Sequence, residues 1–120
     1  MSSDGWIGVD LDGTLAHYDG WVGPDHIGDP IPKMLERVKA WLAQGYEVRI
    51  FTARVGPVDL SLVGNDYPER VRGFIQDWTE RHLGQRLEVT ATKDFRMLEL
   101  WDDRAIQILP NTGERADLKP

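Results

Sequence analysis

Short apolar runs alternate along the chain with longer segments in which apolar residues recur every three or four positions. Short runs bounded by turn residues predict strands, and the longer spacing predicts amphipathic helices. The pattern predicts five strands, at residues 6–10, 46–51, 87–90, 98–102 and 105–109. It predicts two helices, one from Ile31 or Pro32 to Gly45 and one from Tyr67 or Pro68 to Leu83. Strands that alternate with helices favour a mainly parallel sheet with right-handed crossovers, so we expect an α/β fold.

The length and composition of the chain indicate one globular domain. The chain has 120 residues, and neither a linker nor a repeat nor a low-complexity segment divides it. Hydrophobic residues make up 41% and charged residues 28% of the chain, which is an ordinary balance for a protein with a packed core. We therefore expect residues 1–120 to form a single domain, in which the glycine- and proline-rich loops at 14–30 and 55–65 form only small lids.

Charge and residue usage limit the partners and the location that we expect. The formal net charge is −6, and an acidic chain gains nothing from the phosphate attraction that dominates general nucleic-acid binding. The sequence lacks a run of about 18 apolar residues and a signal peptide, which predicts a cytoplasmic protein that does not enter the membrane. Because the chain has no cysteine, disulfides, thiolate metal ligands and a cysteine nucleophile are excluded.

Polar side chains follow three of the predicted strands at the points where these strands end. Asp10 and Asp12 follow the first strand, Thr52 ends the second, and Asp102 and Asp103 come at the end of the fourth. Because the carboxyl ends of parallel strands share one edge of a sheet, we expect these clusters to meet. Carboxylate oxygens there could bind Mg²⁺, and one of them could attack phosphorus to form an aspartyl-phosphate.

Each of these clusters also has a simpler interpretation. The sequence Asp-x-Asp-Gly-Thr is typical of a strand followed by a turn, and Thr52 is an ordinary β-branched residue for a strand end. Arg54 could pair with phosphate or could face water. Lys93 could hold a phosphate or be one of many surface lysines, and Asp103 could cap a short helix. We interpret the five tryptophans as core and loop packing.

Taken in chain order, the motif residues resemble the signature of the haloacid dehalogenase-like (HAD) hydrolase superfamily. The matching positions are Ile7–Thr14, Thr52, Lys93 and the pair Asp102 and Asp103. The resemblance extends from Trp6 to about Leu109, and it implies a Rossmann-like, doubly wound sheet in a domain that has no cap. An open site of this kind could accept a bulky substrate, or a partner subunit of a homo-oligomer could cover it.

The resemblance implies catalytic and metal-binding roles for the acidic residues. Asp10 would be the nucleophile, with one oxygen on Mg²⁺. Asp12 would be the general acid and base, with its backbone carbonyl on the metal. Asp102 would ligate Mg²⁺, and Asp103 would assist directly or through water. An acidic residue at position 12 is typical of the phosphatases and phosphotransferases of the superfamily, and members that cleave carbon–halogen bonds usually lack it.

The remaining motif residues would bind the phosphoryl group. Thr52, followed by Ala53 and Arg54, would contact it directly, and Lys93 would neutralise both the phosphate and the nucleophile. The resemblance thus implies a Mg²⁺-dependent phosphomonoesterase that acts through an aspartyl-phosphate. The substrate could be a phosphorylated small molecule or the exposed end of a macromolecule. The role of Arg104, which follows the last acid pair, stays open.

Two alternatives to a phosphatase remain, together with one departure from the pattern of the superfamily. A signalling receiver domain also uses acids, a hydroxyl residue and a lysine, but its lysine comes last, whereas Lys93 precedes the second acid pair. A non-catalytic phosphate-binding module would have no need for both Asp10 and Asp12.

The departure is that only about seven residues separate Thr90 from Leu98, which is too few for a normal helical crossover.

Overall fold

The computed structural model describes residues 4–117, which contain four strands and three α-helices. The strands are β1 (Trp6–Val9), β2 (Glu47–Phe51), β3 (Glu88–Thr90) and β4 (Met97–Trp101). The helices are α1 (Pro32–Ala43), α2 (Leu60–Val63) and α3 (Tyr67–Leu83). The sheet order is β3-β2-β1-β4, and every neighbouring pair is parallel, which confirms the predicted parallel α/β sheet. Residues 1–3 and 118–120 of the predicted domain lie outside the described residues.

Both long helices begin and end close to their predicted positions, and the reason is local. A proline occupies the first turn of each, where its missing N–H costs no hydrogen bond and its fixed φ suits a helix. After α3, Gly84 adopts a left-handed conformation with φ 78°, which a side chain would disfavour, and its N–H donates to Glu80 O. Among residues 4–117, no helix is both long enough and apolar enough to span a bilayer.

The hydrophobic core lies between one face of the sheet and the two long helices. Successive strand residues point to opposite faces, and alternate residues of three strands enter the core, namely Ile7, Val9, Val48, Ile50 and Val89. The residues that the helices contribute are Met34 and Val38 from α1 and Val71, Ile75 and Trp78 from α3. This packing holds the carboxyl ends of β1 and β2 in a defined position.

The link from β3 to β4 crosses the opposite face of the sheet without a helix. It consists of residues 91–96 and joins the two outer strands. Trp6 and Arg49 point to this face, and Asp94 in the link accepts a 2.8 Å hydrogen bond from Trp6 Nε1 and lies 3.6 Å from Arg49 Nη1. The connection is thus too short for a helix, as expected, but β3 still pairs with β2 as a parallel strand. The doubly wound arrangement is not confirmed, because both long helices pack on one face.

The predicted fifth strand at residues 105–109 is not confirmed, and the sheet has four strands within residues 4–117. Ile108 forms only an isolated antiparallel bridge with Arg115, and Leu109 N donates to Glu114 O at 2.8 Å. The segment folds back on its own continuation through a turn at Asn111, where φ is 67°. The predicted loop at 55–65 also differs from expectation, since it contains α2 and follows a single 3-10 turn, Ala53–Val55.

Candidate active site

The sheet order brings the polar clusters to neighbouring strand ends. β1 lies between β2 and β4, so the residues after these three strands meet at one edge. Asp10 N donates to Trp101 O of β4 at 2.9 Å, and Thr52 N donates to Thr90 O of β3 at the same distance. From β1 the chain continues to β2 and β3 on one side of the sheet, whereas β4 lies on the other side of β1. Ligands of open α/β sheets bind where the strand order reverses in this way.

Three carboxylates form a compact cluster at this edge, which we call the acid triad: Asp10, Asp102 and Asp103. One oxygen of each lies within 4.8 Å of those of the other two. Thr14 Oγ1 donates to Asp10 Oδ2 at 3.2 Å and lies 3.5 Å from Asp103 Oδ1, so its hydroxyl bridges two members of the triad.

The environment of Asp10 disfavours its ionised form. Burial raises the pKa of Asp10 to about 7, and the hydrogen bond with Asp103 and the negative charge of Asp102 act in the same direction. A divalent cation among the three carboxylates would favour the ionised form instead. Because all the donors are carboxylate oxygens, the acid triad suits a hard cation such as Mg²⁺.

Gly13 leaves room for the acid triad beside the turn after β1. Its φ is +88°, a conformation that side-chain-bearing residues rarely adopt. A Cβ atom on Gly13 would also lie 2.6 Å from Asp103 Oδ2. The glycine therefore lets the chain turn after Asp12 and leaves room for the carboxylate of Asp103 beside it.

Asp12 is held away from the acid triad by a bidentate ion pair with Arg54. Arg54 Nε donates to Asp12 Oδ2 and Arg54 Nη2 donates to Asp12 Oδ1, both at 2.8 Å. The side chains are 5% exposed for Arg54 and 20% for Asp12, so the pair is well shielded from water. A third donor, Arg54 Nη1, lies 3.5 Å from Pro24 O. In this arrangement Arg54 positions Asp12, and a phosphate would have to compete for the guanidinium.

A cavity of about 330 Å³ opens over these residues. Its polar lining residues are Asp10, Asp12, Thr52, Arg54 and Arg104, and Ala53 lines it between Thr52 and Arg54. Thr52 is buried and its hydroxyl accepts a 3.1 Å hydrogen bond from Arg54 N, which orders the loop after β2. The walls come from the two glycine- and proline-rich loops and from the start of α3, namely Tyr18, Trp21, Gly56, Pro57, Val58 and Tyr67.

Three of the sequence-predicted site residues do not line this cavity: Asp102, Asp103 and Lys93. Lys93 is exposed in the link between β3 and β4 and lines a second concavity of about 580 Å³. Asp102 lines that concavity too and also belongs to the acid triad. The role of Lys93 in phosphate binding stays a prediction.

Sequence reasoning did not assign a role to four residues that the structure places at the site: Thr14, Tyr18, Trp21 and Tyr67. Thr14 carried a signal, because it completes the motif that contains Asp10. The three aromatic residues carried none: Trp21 was interpreted as packing, and Tyr67 lies far along the chain from the loop that holds Tyr18 and Trp21. Trp21 is 55% exposed at the cavity wall, so it is not a core residue.

Comparison with known proteins finds no relative of this chain: no family model, no curated protein and no solved structure matches it. The resemblance to the HAD superfamily therefore stays a prediction from the motif residues. A function for the site has to rest on the contacts, burial and charges of its own residues.

The raised pKa of Asp10 predicts how the stability of the metal-free protein depends on pH. The folded value of about 7 lies above the ordinary value of 3.8. Between these values the folded state binds more protons than the unfolded state, so stability falls as the pH rises from about 4 to about 7. Asp10→Asn removes the ionisable group and therefore also removes this loss of stability at high pH. With EDTA at pH 8 we expect the variant to be more stable than the wild type by on the order of 1–2 kcal/mol, discounted for solvent screening.

Urea unfolding at pH 4 and at pH 8 measures this difference. The two proteins should differ little at pH 4, and Mg²⁺ at pH 8 should stabilise the wild type but not the variant. Asp25→Asn, which removes an exposed carboxylate outside the acid triad, is the matched control and should show neither effect. Equal stabilities of the Asp10→Asn variant and the wild type at pH 8 would contradict the raised pKa of Asp10.

Proposed function

We propose that the protein is a Mg²⁺-dependent phosphomonoesterase that acts through an aspartyl-phosphate on Asp10. The observation that carries the proposal is that two separate acidic groups each contribute a carboxylate to one cavity, Asp10 and Asp12. Asp10 belongs to the acid triad, which suits a cation. Asp12 is paired with Arg54 and is free of the triad. A cation site alone would not need the second group.

The acid triad would hold Mg²⁺ through Asp10, Asp102 and Asp103. When bound, the cation would supply positive charge that draws a phosphoryl group towards the carboxylates and offsets their mutual repulsion. The Thr14 hydroxyl bridge keeps Asp10 and Asp103 side by side. Thr52 and the backbone around Ala53 line the cavity where the phosphoryl oxygens would lie.

The reaction that this arrangement supports has two steps. A carboxylate oxygen of Asp10 attacks phosphorus, the bond between phosphorus and the ester oxygen breaks, and Asp12 donates a proton to the leaving alcohol. Asp12 then takes a proton from water as the water oxygen attacks the same phosphorus. The bond to Asp10 breaks, and inorganic phosphate leaves.

The ion pair of Asp12 with Arg54 has to open in the first step. Both carboxylate oxygens of Asp12 accept hydrogen bonds from Arg54, so Asp12 cannot donate to a leaving group in this arrangement. Once the pair is open, Asp12 would take up from solvent the proton that it gives to the leaving alcohol. A phosphate dianion competes for the guanidinium because it offers the same bidentate geometry with more charge. Substrate binding would therefore free Asp12 and place Arg54 on a phosphoryl oxygen.

Hydrolysis of p-nitrophenyl phosphate with Mg²⁺, and its loss in EDTA, tests the proposed activity. Asp102→Asn should raise the Mg²⁺ concentration for half-maximal rate by at least about tenfold, because it removes a charged ligand. Glu99→Gln on β4 is the matched control, since Glu99 contacts Trp101 Nε1 and lies outside the triad. An unchanged Mg²⁺ titration in Asp102→Asn would show that the cation does not bind at Asp102. Binding of phosphate without turnover would indicate a binding module.

A further inference from the structure

One wall of the active-site cavity is aromatic, although the opposite part is polar and charged. Tyr18, Trp21 and Tyr67 line the cavity that also contains Asp10 and Asp12. Tyr18 is 42% and Trp21 is 55% exposed. Large aromatic side chains that stay exposed beside a polar site are typical of ligand-binding pockets, where they contribute contact area.

Trp21 is held in place by the same arginine that pairs with Asp12. The Cζ atom of Arg54 lies 4.9 Å from the centre of the Trp21 ring, and Arg54 Nη1 lies 3.5 Å from Pro24 O in the same loop. A cation over a ring is attractive, so the guanidinium fixes the ring next to the reacting groups. Trp21 is 55% exposed, which leaves surface for a ligand.

The geometry points to a planar ring on the leaving group of the substrate. A phosphoryl group at Asp10 puts its ester oxygen near Asp12, and Trp21 lines the same cavity as Asp10 and Asp12. The alcohol of the ester therefore leaves towards the aromatic wall. A flat ring suits this wall because stacking on an aromatic side chain needs no particular pattern of hydrogen bonds.

The size and charge of the cavity favour a single nucleotide over a nucleic-acid end. The volume of about 330 Å³ is at the lower end of the range of small-molecule sites, about 300–1,000 Å³. The cavity lining contains two arginines, one of them engaged with Asp12, and the chain has a net charge of −6. Such a surface offers no run of cations for a polynucleotide backbone to follow.

We propose that the site hydrolyses nucleoside monophosphates and that the base stacks on Trp21, an inference that rests on the proposed phosphatase activity. The test compares kcat/KM for the four common ribonucleoside 5′-monophosphates with that for glycerol 3-phosphate, which has no ring. The wild type should prefer at least one nucleotide. Trp21→Ala should reduce this preference by about tenfold through KM, as expected from the loss of one stacking contact. Trp21→Phe should retain most of it.

Two controls separate recognition of the ring from the chemistry and from folding. Glycerol 3-phosphate is the internal reference, because Trp21 also packs on Arg54 and its loss can reach the chemistry. The ratio of kcat/KM for the nucleotide to kcat/KM for glycerol 3-phosphate should therefore fall about tenfold in Trp21→Ala, whatever happens to the rate with glycerol 3-phosphate. Phe95→Ala removes a fully exposed aromatic residue outside the cavity and should leave all rates unchanged. Circular dichroism checks that each variant is folded.

The possible failures are distinguishable. No turnover of any ester, the ring-free one included, would overturn the proposed phosphatase and this inference with it. Turnover of glycerol 3-phosphate as efficient as that of the nucleotides, or a nucleotide preference that survives in Trp21→Ala, would overturn the inference alone. A clear preference for a 5′-phosphorylated oligonucleotide over every mononucleotide would replace the proposed substrate class with a nucleic-acid end.

Discussion

Asp10→Asn should abolish phosphomonoester hydrolysis while the protein stays folded. The amide has nearly the shape of the carboxylate, and it can still accept the hydrogen bond from Thr14 Oγ1. It cannot form an acyl-phosphate, because an amide oxygen is a poor nucleophile without negative charge. We expect kcat for p-nitrophenyl phosphate to fall by at least about 10³-fold, or roughly 4 kcal/mol in the barrier.

The measurement is steady-state turnover with saturating Mg²⁺, together with mass spectrometry of the acid-quenched protein. The wild type should carry one phosphoryl group on the peptide that contains Asp10, and the variant should carry none. Asp77→Asn, which removes an exposed carboxylate of α3 outside the cavity, is the matched control and should retain full activity. A folded Asp10→Asn variant with near-normal turnover would exclude Asp10 as the nucleophile.

Asp12→Asn should separate the two steps of the proposed reaction. p-Nitrophenolate leaves without a proton, so the first turnover of p-nitrophenyl phosphate needs no acid. The second step needs a base to activate water, and an amide cannot supply one. We expect a burst of p-nitrophenol followed by turnover that is slower by about 10²–10⁴-fold, the usual contribution of general acid–base catalysis. With glycerol 3-phosphate, whose alcohol must be protonated, the first turnover should slow as well.

Arg54 is the residue through which Asp12→Asn could act indirectly, since the substitution removes the charge that holds the guanidinium. Arg54→Lys tests this, because it keeps the positive charge but loses the bidentate contact with Asp12. Loss of positioning should lower the rates with both esters by similar factors and should produce no burst. If Asp12→Asn slows first and later turnovers equally with both esters, Asp12 is not the acid and base.

The ends of the long helices and the position of β1 could be predicted because their signals are local. Pro32 and Gly84 favour their positions through their own backbone preferences, whatever the rest of the chain does.

The fifth strand could not be predicted correctly from a local signal. The segment 105–109 has the apolar composition of a buried strand, yet Ile106 and Ile108 are exposed and the sheet ends at β4. A strand forms only where a neighbouring edge accepts its hydrogen bonds.

The candidate site shows the same division between near and distant contacts. Asp10, Asp12, Thr52 and the pair Asp102 and Asp103 could be chosen from the sequence, because each follows an apolar run that predicts a strand end. The pairing of Asp12 with Arg54 could not, since these residues lie 42 positions apart and the arginine could equally have faced water. Lys93 is predicted only from its position in the order of motifs, and this order does not determine which concavity the side chain lines.

The sequence by itself determined the local elements and the chemical character of the strand ends, because apolar spacing, proline, glycine and adjacent acids act over a few residues. The tertiary structure alone decided which of these groups touch. It set the strand order that gathers the acid triad, the ion pair that separates Asp12 from the triad, and the aromatic wall formed by Trp21 and its neighbours. These contacts depend on how the core brings distant segments together, and no short stretch of sequence encodes that.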